Sequence, residues 1–207
     1  MKKIVLTMFT AAFAVSLMAQ DITLPQPQKN GGKPLMEALN NRKTERSYSA
    51  KELSLQQLSN LLWAASGINR EDGRMTAPTA SNNQQIIIFV GLKDAVYQYL
   101  PKENKLKLQV SGDHRKVFCR QSIAATAPVV LALVSNYDKM GKYDDNTKFK
   151  YSCTDAGNVS QNIYLYSASE GLGTVAIGNF DADELSKTLK LTPNFHPILN
   201  QLVGFLK

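Results

Sequence analysis

The sequence predicts an α+β fold, a small mixed central sheet flanked by helices. Three observations carry that reading. Amphipathic helical stripes are interspersed with short, strongly apolar runs such as Ile86-Ile87-Ile88-Phe89-Val90. A pair of runs spaced like a hairpin comes early and breaks any strict strand–helix–strand rhythm. No linker, internal repeat or low-complexity tract divides the chain.

The chain opens with Met1-Lys2-Lys3, an apolar run from Ile4 to Met18, and then Ala19-Gln20-Asp21. A short basic region, an apolar core and a small residue before polar ones read as a secretory signal peptide over residues 1–19. An uncleaved anchor is the alternative, although the run is short for a membrane span. The expected location is outside the cytoplasm, in the periplasm, with no stable membrane insertion after cleavage. Beyond the leader remain 188 of 207 residues, enough for one domain with a real core. The net charge of +7 falls to +5 without Lys2 and Lys3, and the surplus is scattered. With no basic run interleaved with aromatics, nucleic-acid binding is not indicated. An exported chain would carry Cys119 and Cys153 into an oxidising compartment. A single disulfide and two separate buried thiols both stay open. There is no Cys-x-x-Cys pair, and His114 and His196 are far apart, so no metal site is expected.

Residues 20–33 are rich in Pro, Gln, Asn and Gly and read as an extended arm ahead of a domain spanning 34–207. Pro34 suits the first turn of a helix over Leu35–Leu39. Ser54 with Gln57 three residues on predicts a capping box, followed by the stripe Leu55, Leu58, Leu61, Leu62 and Ala65 and closed by Gly67. A polar loop over 69–83 leads to a strand from Ile86 to Leu92. Ala95–Leu100 and Lys105–Val110 form the hairpin around Pro101 and Asn104. A helix is expected over His114–Ala125, a strand over Val129–Val134, and a charged loop over Lys139–Lys150. The longest helix is expected over Thr154–Glu170, ended by Gly171-Leu172-Gly173. A strand over Thr174–Ile177, a helix over Asp181–Leu189 and a closing strand over Ile198–Phe205 complete the series.

The motifs of a protein-borne nucleophile are absent. There is no Gly-x-Ser-x-Gly, no phosphate-cradling Gly-x-x-x-x-Gly-Lys-Ser/Thr and no Gly-x-Gly-x-x-Gly; Gly171-Leu172-Gly173 follows a helix, the wrong context for a dinucleotide turn. A cofactor would therefore carry any chemistry, and no catalytic side chain is assigned. Two segments point to one. Arg42-Lys43-Thr44-Glu45-Arg46 places three cations within five residues, suited to a phosphate. Pro78-Thr79-Ala80-Ser81-Asn82-Asn83-Gln84 offers amides that suit a heterocycle with both donors and acceptors. The plain alternatives are a solvated helix end and ordinary loop capping.

Five landmarks in order resemble the FMN-dependent nitroreductase superfamily, from Leu35 to the C-terminus. Arg42-Lys43-Thr44-Glu45-Arg46-Ser47-Tyr48 is similar to its opening basic motif, and Leu61–Asn69 to its leucine-rich helix ending in Gly. Pro78–Gln84 resembles its Pro-Ser-x-x-Asn-x-Gln loop. Asp155-Ala156-Gly157 through Asp181 resembles its central helix and Gly-rich turn, and Val203-Gly204-Phe205 its last strand.

The resemblance implies an intertwined homodimer with FMN at the subunit interface and residues drawn from both chains. It implies ping-pong electron transfer from a reductant, through FMN, to a small acceptor, with NAD(P)H as a transient donor. By the same carry-over Arg42, Lys43, Thr44, Arg46 and Lys207 face the phosphate, Thr79, Asn82 and Gln84 the isoalloxazine edge, and Ile177 and Gly178 allow backbone to approach the ring. Trp63, Tyr164 and Tyr166 read as core. The sequence departs from the pattern at Lys43, at Thr79 and Ser81, and at Gln85, where many members carry Pro. A single terminal Lys207 replaces the usual basic pair. An exported flavin-binding or interaction protein without turnover, and an enzyme resembling azoline dehydrogenases, are the alternative readings. The arm over 20–33 is long enough to reach across a partner.

Overall fold

The computed structural model describes residues 19–207; of the leader expected over 1–19, all but Ala19 lies outside the described residues. No helix among the described residues is long and apolar enough to cross a membrane. Seven strands form one sheet: β1 (Ile22–Thr23), β2 (Ile86–Gly91), β3 (Ala95–Leu100), β4 (Lys105–Ser111), β5 (Val129–Asn136), β6 (Leu172–Ile177) and β7 (Phe195–Phe205). Their spatial order is β1-β4-β3-β2-β5-β7-β6. Among the described residues four α-helices accompany them: α1 (Leu35–Asn41), α2 (Leu55–Ser66), α3 (Asp145–Glu170) and α4 (Ala182–Thr188).

The α+β class is borne out, but every pairing is antiparallel, so the sheet is not mixed. The crossover from β5 through α3 to β6 does return in the same direction. β7 then inserts between those two strands and pairs antiparallel with each.

Both faces of the sheet are covered, which is why its central strands read as continuous apolar runs. Side chains alternate along a strand. Ile86, Ile88, Val90, Val129, Leu131 and Leu133 join Leu58, Leu61 and Leu62 of α2 and Val159 and Ile163 of α3 in one core. Phe89, Val130, Ala132 and Val134 join Phe118, Leu185 and Leu189 in the other. Leu61 and Leu62 are fully buried, each contributing about 1.5–3 kcal/mol by area transfer.

The α2 capping box forms as expected: Ser54 Oγ accepts from the Gln57 backbone N–H at 3.2 Å, and the Ser54 N–H donates to Gln57 Oε1 at 3.0 Å. Leu55, assigned to the stripe, lies outside it and is exposed. Gly67 ends the helix at φ −84°, not in the left-handed region. Glycine is needed there because a Cβ would collide with the Trp63 ring.

The expected helix over 114–125 is two 3₁₀ turns, Arg115–Phe118 and Ser122–Ala125, with Cys119 extended between them. That break lets Phe118 drop into the second core, where it is fully buried. The expected charged loop over 139–150 instead supplies the first turns of α3, capped by Asp144, whose carboxylate accepts from the Thr147 N–H at 3.0 Å. The closing strand starts at Phe195, three residues before Ile198. Cys119 is buried and Cys153 exposed, both as free thiols; the disulfide is not formed, and only one thiol is buried.

The arm packs against its own chain. β1 pairs with β4 through Ile22–Leu106 and Thr23–Lys105, and Leu24 is buried. Ser59 of α2 donates to Pro25 O, the Gln28 N–H donates to Asn60 Oδ1 at 2.8 Å, and the Lys33 N–H donates to Ser169 Oγ at 2.7 Å.

Candidate functional site

Two groups of the expected site residues form, at different levels of α3. The first begins where α1 ends. Arg42 takes an extended conformation as the helix C-cap, and its guanidinium carbon stands 5.4 Å from the centre of the Tyr164 ring. Thr44 Oγ1 lies 3.2 Å from the Tyr164 phenol oxygen, which also accepts the Ala176 N–H at 2.9 Å. Either hydroxyl can donate across the Thr44–Tyr164 contact; when the phenol donates, the Thr44 hydroxyl hydrogen is free for an acceptor outside the chain.

The segment after Arg42 is pinned to the sheet edge. The Glu45 N–H donates to Thr174 O at 2.9 Å, and the Tyr48 phenol donates to Glu45 O at 2.8 Å. Tyr48 is buried, which pushes its phenol well above the usual tyrosine range. Its bridge to Leu206 and the Ser49 N–H bond to Phe205 O set Lys207 beside Arg46 and Ser47. Ile177 is buried at the end of β6 as part of the second core. A Cβ built on Gly178 would meet no atom within 4 Å. This chain's own packing therefore leaves the space beside that backbone open.

Lys43 turns aside from this group. Its ammonium pairs with Glu45 Oε1 at 2.7 Å while remaining exposed, a surface contact of little energetic weight. Arg42 and Thr44 thus meet at Tyr164, while Arg46 lies further along the same segment with Lys207 beside it. Lys43 is the member already engaged.

The second group is the loop from Thr79 to Gln84. Thr79 Oγ1 accepts from the Gln84 N–H at 2.9 Å, and Gln84 Nε2 donates to Gly73 O and to Asn82 Oδ1 at 3.0 and 3.2 Å. Asn82 is exposed, and its oxygen is the atom that pairs with Gln84. The loop is tied to α3 through Asp155, which accepts from the Ala80 N–H, and through Asn158, which donates to Pro78 O. Asp155 and Tyr164 are nine residues apart in one helix, a rise of about 13 Å. Within one chain, no hydrogen bond among the described residues joins the two groups.

Sequence reasoning missed Tyr164, Asp155 and Gln85. Tyr164 was expected in the core, yet it is half-buried and links Arg42, Thr44 and β6. Asp155 had a readable signal, a carboxylate in phase with the buried Val159 and Ile163 at i, i+4 and i+8.

A sequence model described as the Nitroreductase family matches residues 39–205. A candidate nitroreductase of Methanocaldococcus jannaschii is 32% identical over 180 residues, covering 82% of this chain and 90% of its own. The crystal structure of a candidate nitroreductase of Ralstonia eutropha is 36% identical and superposes with a TM-score of 0.88, covering 94% of this chain and 93% of its own. One from Anabaena variabilis, 21% identical, shares the fold with a TM-score of 0.76, covering 95% of this chain and 45% of its own. The buried sheet, the two polar groups along α3 and these likenesses agree: the chain belongs to the nitroreductase family.

Proposed function

We propose that the protein is an FMN-dependent oxidoreductase working as a homodimer, passing electrons from a reductant to a small acceptor. The observation that carries this reading is the Thr44–Tyr164–Ala176 chain of hydrogen bonds beside Arg42. It presents a cation and a hydroxyl near the end of β6, where Gly178 leaves open space. A phosphate dianion is matched by that donor set. When bound, FMN supplies the hydride and electron transfer. The chain's residues bind and orient it: Arg42, Thr44, Arg46 and Lys207 at the phosphate, Asn82, Gln84 and Thr79 toward the ring edge, and Gly178 in close backbone approach.

A second copy supplies what one chain separates. The two groups lie apart along α3, and α1 exposes Leu35, Met36 and Leu39 while burying Ala38. An apolar helix face of this kind is readily buried against another protein surface. In this reading the phosphate group of one protomer and the amide loop of its partner serve one cofactor.

The apolar leader from Ile4 to Met18 supports export. Nicotinamides are scarce outside the cytoplasm, so the physiological donor is a different reductant or a redox partner, even if NAD(P)H reduces the protein in vitro. Fractionation of cells and stopped-flow reduction by each nicotinamide test this. Cytoplasmic protein reduced rapidly by NADPH at micromolar concentration would refute it.

The test of the flavin reading is direct. Purified protein should be yellow, or turn yellow with added FMN, and bleach when an electron donor is added without oxygen. Protein that takes up no FMN refutes the reading. Protein that binds FMN and is bleached by no donor is a flavin binder without turnover.

A further inference from the structure

The loop from Thr79 to Gln84 carries three non-glycine residues in the left-handed region, Ser81 at φ 51°, Asn82 at φ 53° and Gln84 at φ 50°. Each costs free energy that only surrounding contacts offset. The contacts outside the loop include a Tyr143 phenol 2.7 Å from Ser81 Oγ, the Lys139 ammonium donating to Gln84 O at 2.8 Å, Gln84 Nε2 donating to Gly73 O at 3.0 Å, and Asp155. Tyr143 is half-buried and Lys139 exposed, so both contacts are partly shared with solvent. Asp155 is 3% exposed, and its Oδ2 accepts the Ala80 N–H at 3.0 Å.

The same oxygen accepts from Gln85 Nε2 at 2.6 Å, and Gln85 is fully buried. Gln85 Oε1 is itself buried with no partner. A leucine there would fill the core without leaving an orphaned acceptor, so core packing alone does not account for an amide. The carboxylate it holds does. Gln85 fixes the rotation of Asp155 so that Oδ2 faces Ala80. Ala80 stands directly before the left-handed Ser81 and Asn82; Asn83 returns to φ −66° before Gln84 is left-handed again.

We propose that Asp155 and Gln85 are a positioning pair, holding the loop so that the Asn82 NH₂ and Gln84 Oε1 face the flavin edge, the Gln84 NH₂ being taken by Gly73 O and Asn82 Oδ1. This rests on the flavin reading. The pair touches no cofactor and acts through the loop.

The test uses the full mature chain and two variants, Asp155→Ala and Gln85→Leu. Each is expected to weaken FMN and riboflavin alike, about fivefold to tenfold. The ratio of affinities for oxidised and reduced flavin should shift about tenfold, or about 30 mV for a two-electron couple. Potentials unchanged in both folded variants overturn the proposal. Hydrogen exchange at the 80–84 amides decides the loop-holding step without any flavin: faster exchange in both single variants supports it, and unchanged exchange overturns it. Failure of the parent to bind flavin, with exchange altered as expected, refutes the flavin reading alone.

Discussion

The Tyr164 phenol oxygen sits 3.2 Å from Thr44 Oγ1, although 120 residues separate the two in sequence. The same oxygen accepts the Ala176 N–H at 2.9 Å. Tyr164 thereby fixes the basic segment after α1 to the end of β6. Tyr164→Phe removes the oxygen and keeps the ring against Arg42. It leaves the Ala176 N–H without its acceptor, and a lost hydrogen bond of this kind costs about 1 kcal/mol. FMN affinity should fall about fivefold with riboflavin affinity nearly unchanged, measured by flavin fluorescence titration. Equal losses for the two ligands would return Tyr164 to a purely structural role.

Arg42→Ala should be more severe and more selective. A charge-assisted hydrogen bond contributes about 1.5–3 kcal/mol, so FMN binding should weaken about tenfold to a hundredfold. Riboflavin lacks the phosphate and should bind nearly as before. Asn82→Ala should instead weaken both ligands and move the flavin potential. If Arg42→Ala affects both ligands equally, the arginine does not meet the phosphate.

Gly67→Ala tests a steric claim against a backbone expectation. The φ of −84° is open to alanine, and a Gly→Ala exchange at a compatible φ usually stabilises by restricting the unfolded chain. Here the added Cβ would stand 2.7 Å from the Trp63 Cα and strike its ring. The ring is held in turn by Trp63 Nε1 donating to Ile68 O at 3.1 Å. Overpacking costs about 1–3 kcal/mol, which at this chain length lowers Tm by roughly 2–12 °C. A raised Tm in thermal unfolding would show that the ring yields freely.

Legibility followed locality. The Ser54–Gln57 box and the leucine stripe of α2 were readable because cap and stripe lie within a dozen residues and one face is buried. The first turns of α3 were not. Asp144 caps them in a charged stretch, and Phe149 there is exposed, so no apolar period marks the helix. The basic segment and the amide loop were visible as residue types. That Lys43 turns to Glu45, and that Tyr164 meets Thr44, depends on contacts between distant segments. A tyrosine in phase with a helix's apolar face looks like core until the partners of its oxygen are known. A mixed sheet is what interspersed helices and strands with an early hairpin suggest, and the β5–α3–β6 crossover is indeed parallel in sense. The insertion of β7 between its strands leaves no local trace.

Asp113 and Arg115 give a pH dependence with a definite sign. Arg115 Nε and Nη2 donate to Asp113 Oδ1 and Oδ2 at 2.9 and 2.7 Å, and Nη1 donates to Ala127 O at 2.8 Å. The fork ties the turn before Phe118 to the chain entering β5. Its guanidinium holds the Asp113 carboxyl below the usual carboxylate range, chiefly through the side-chain hydrogen bonds. A carboxyl whose value is lower in the folded state adds stability above its unfolded value, near about 4. That contribution is lost as pH falls through the folded value. Asp113→Asn removes the charge and leaves a largely buried guanidinium without its counterion. The parent should therefore be the more stable at pH 6–7, and the gap in urea midpoint should narrow as pH falls below about 4, where the parent's own carboxyl takes up a proton. A gap that stays constant from neutral pH to well below the carboxylate range would mean that the fork acts by packing, with no contribution from its charge.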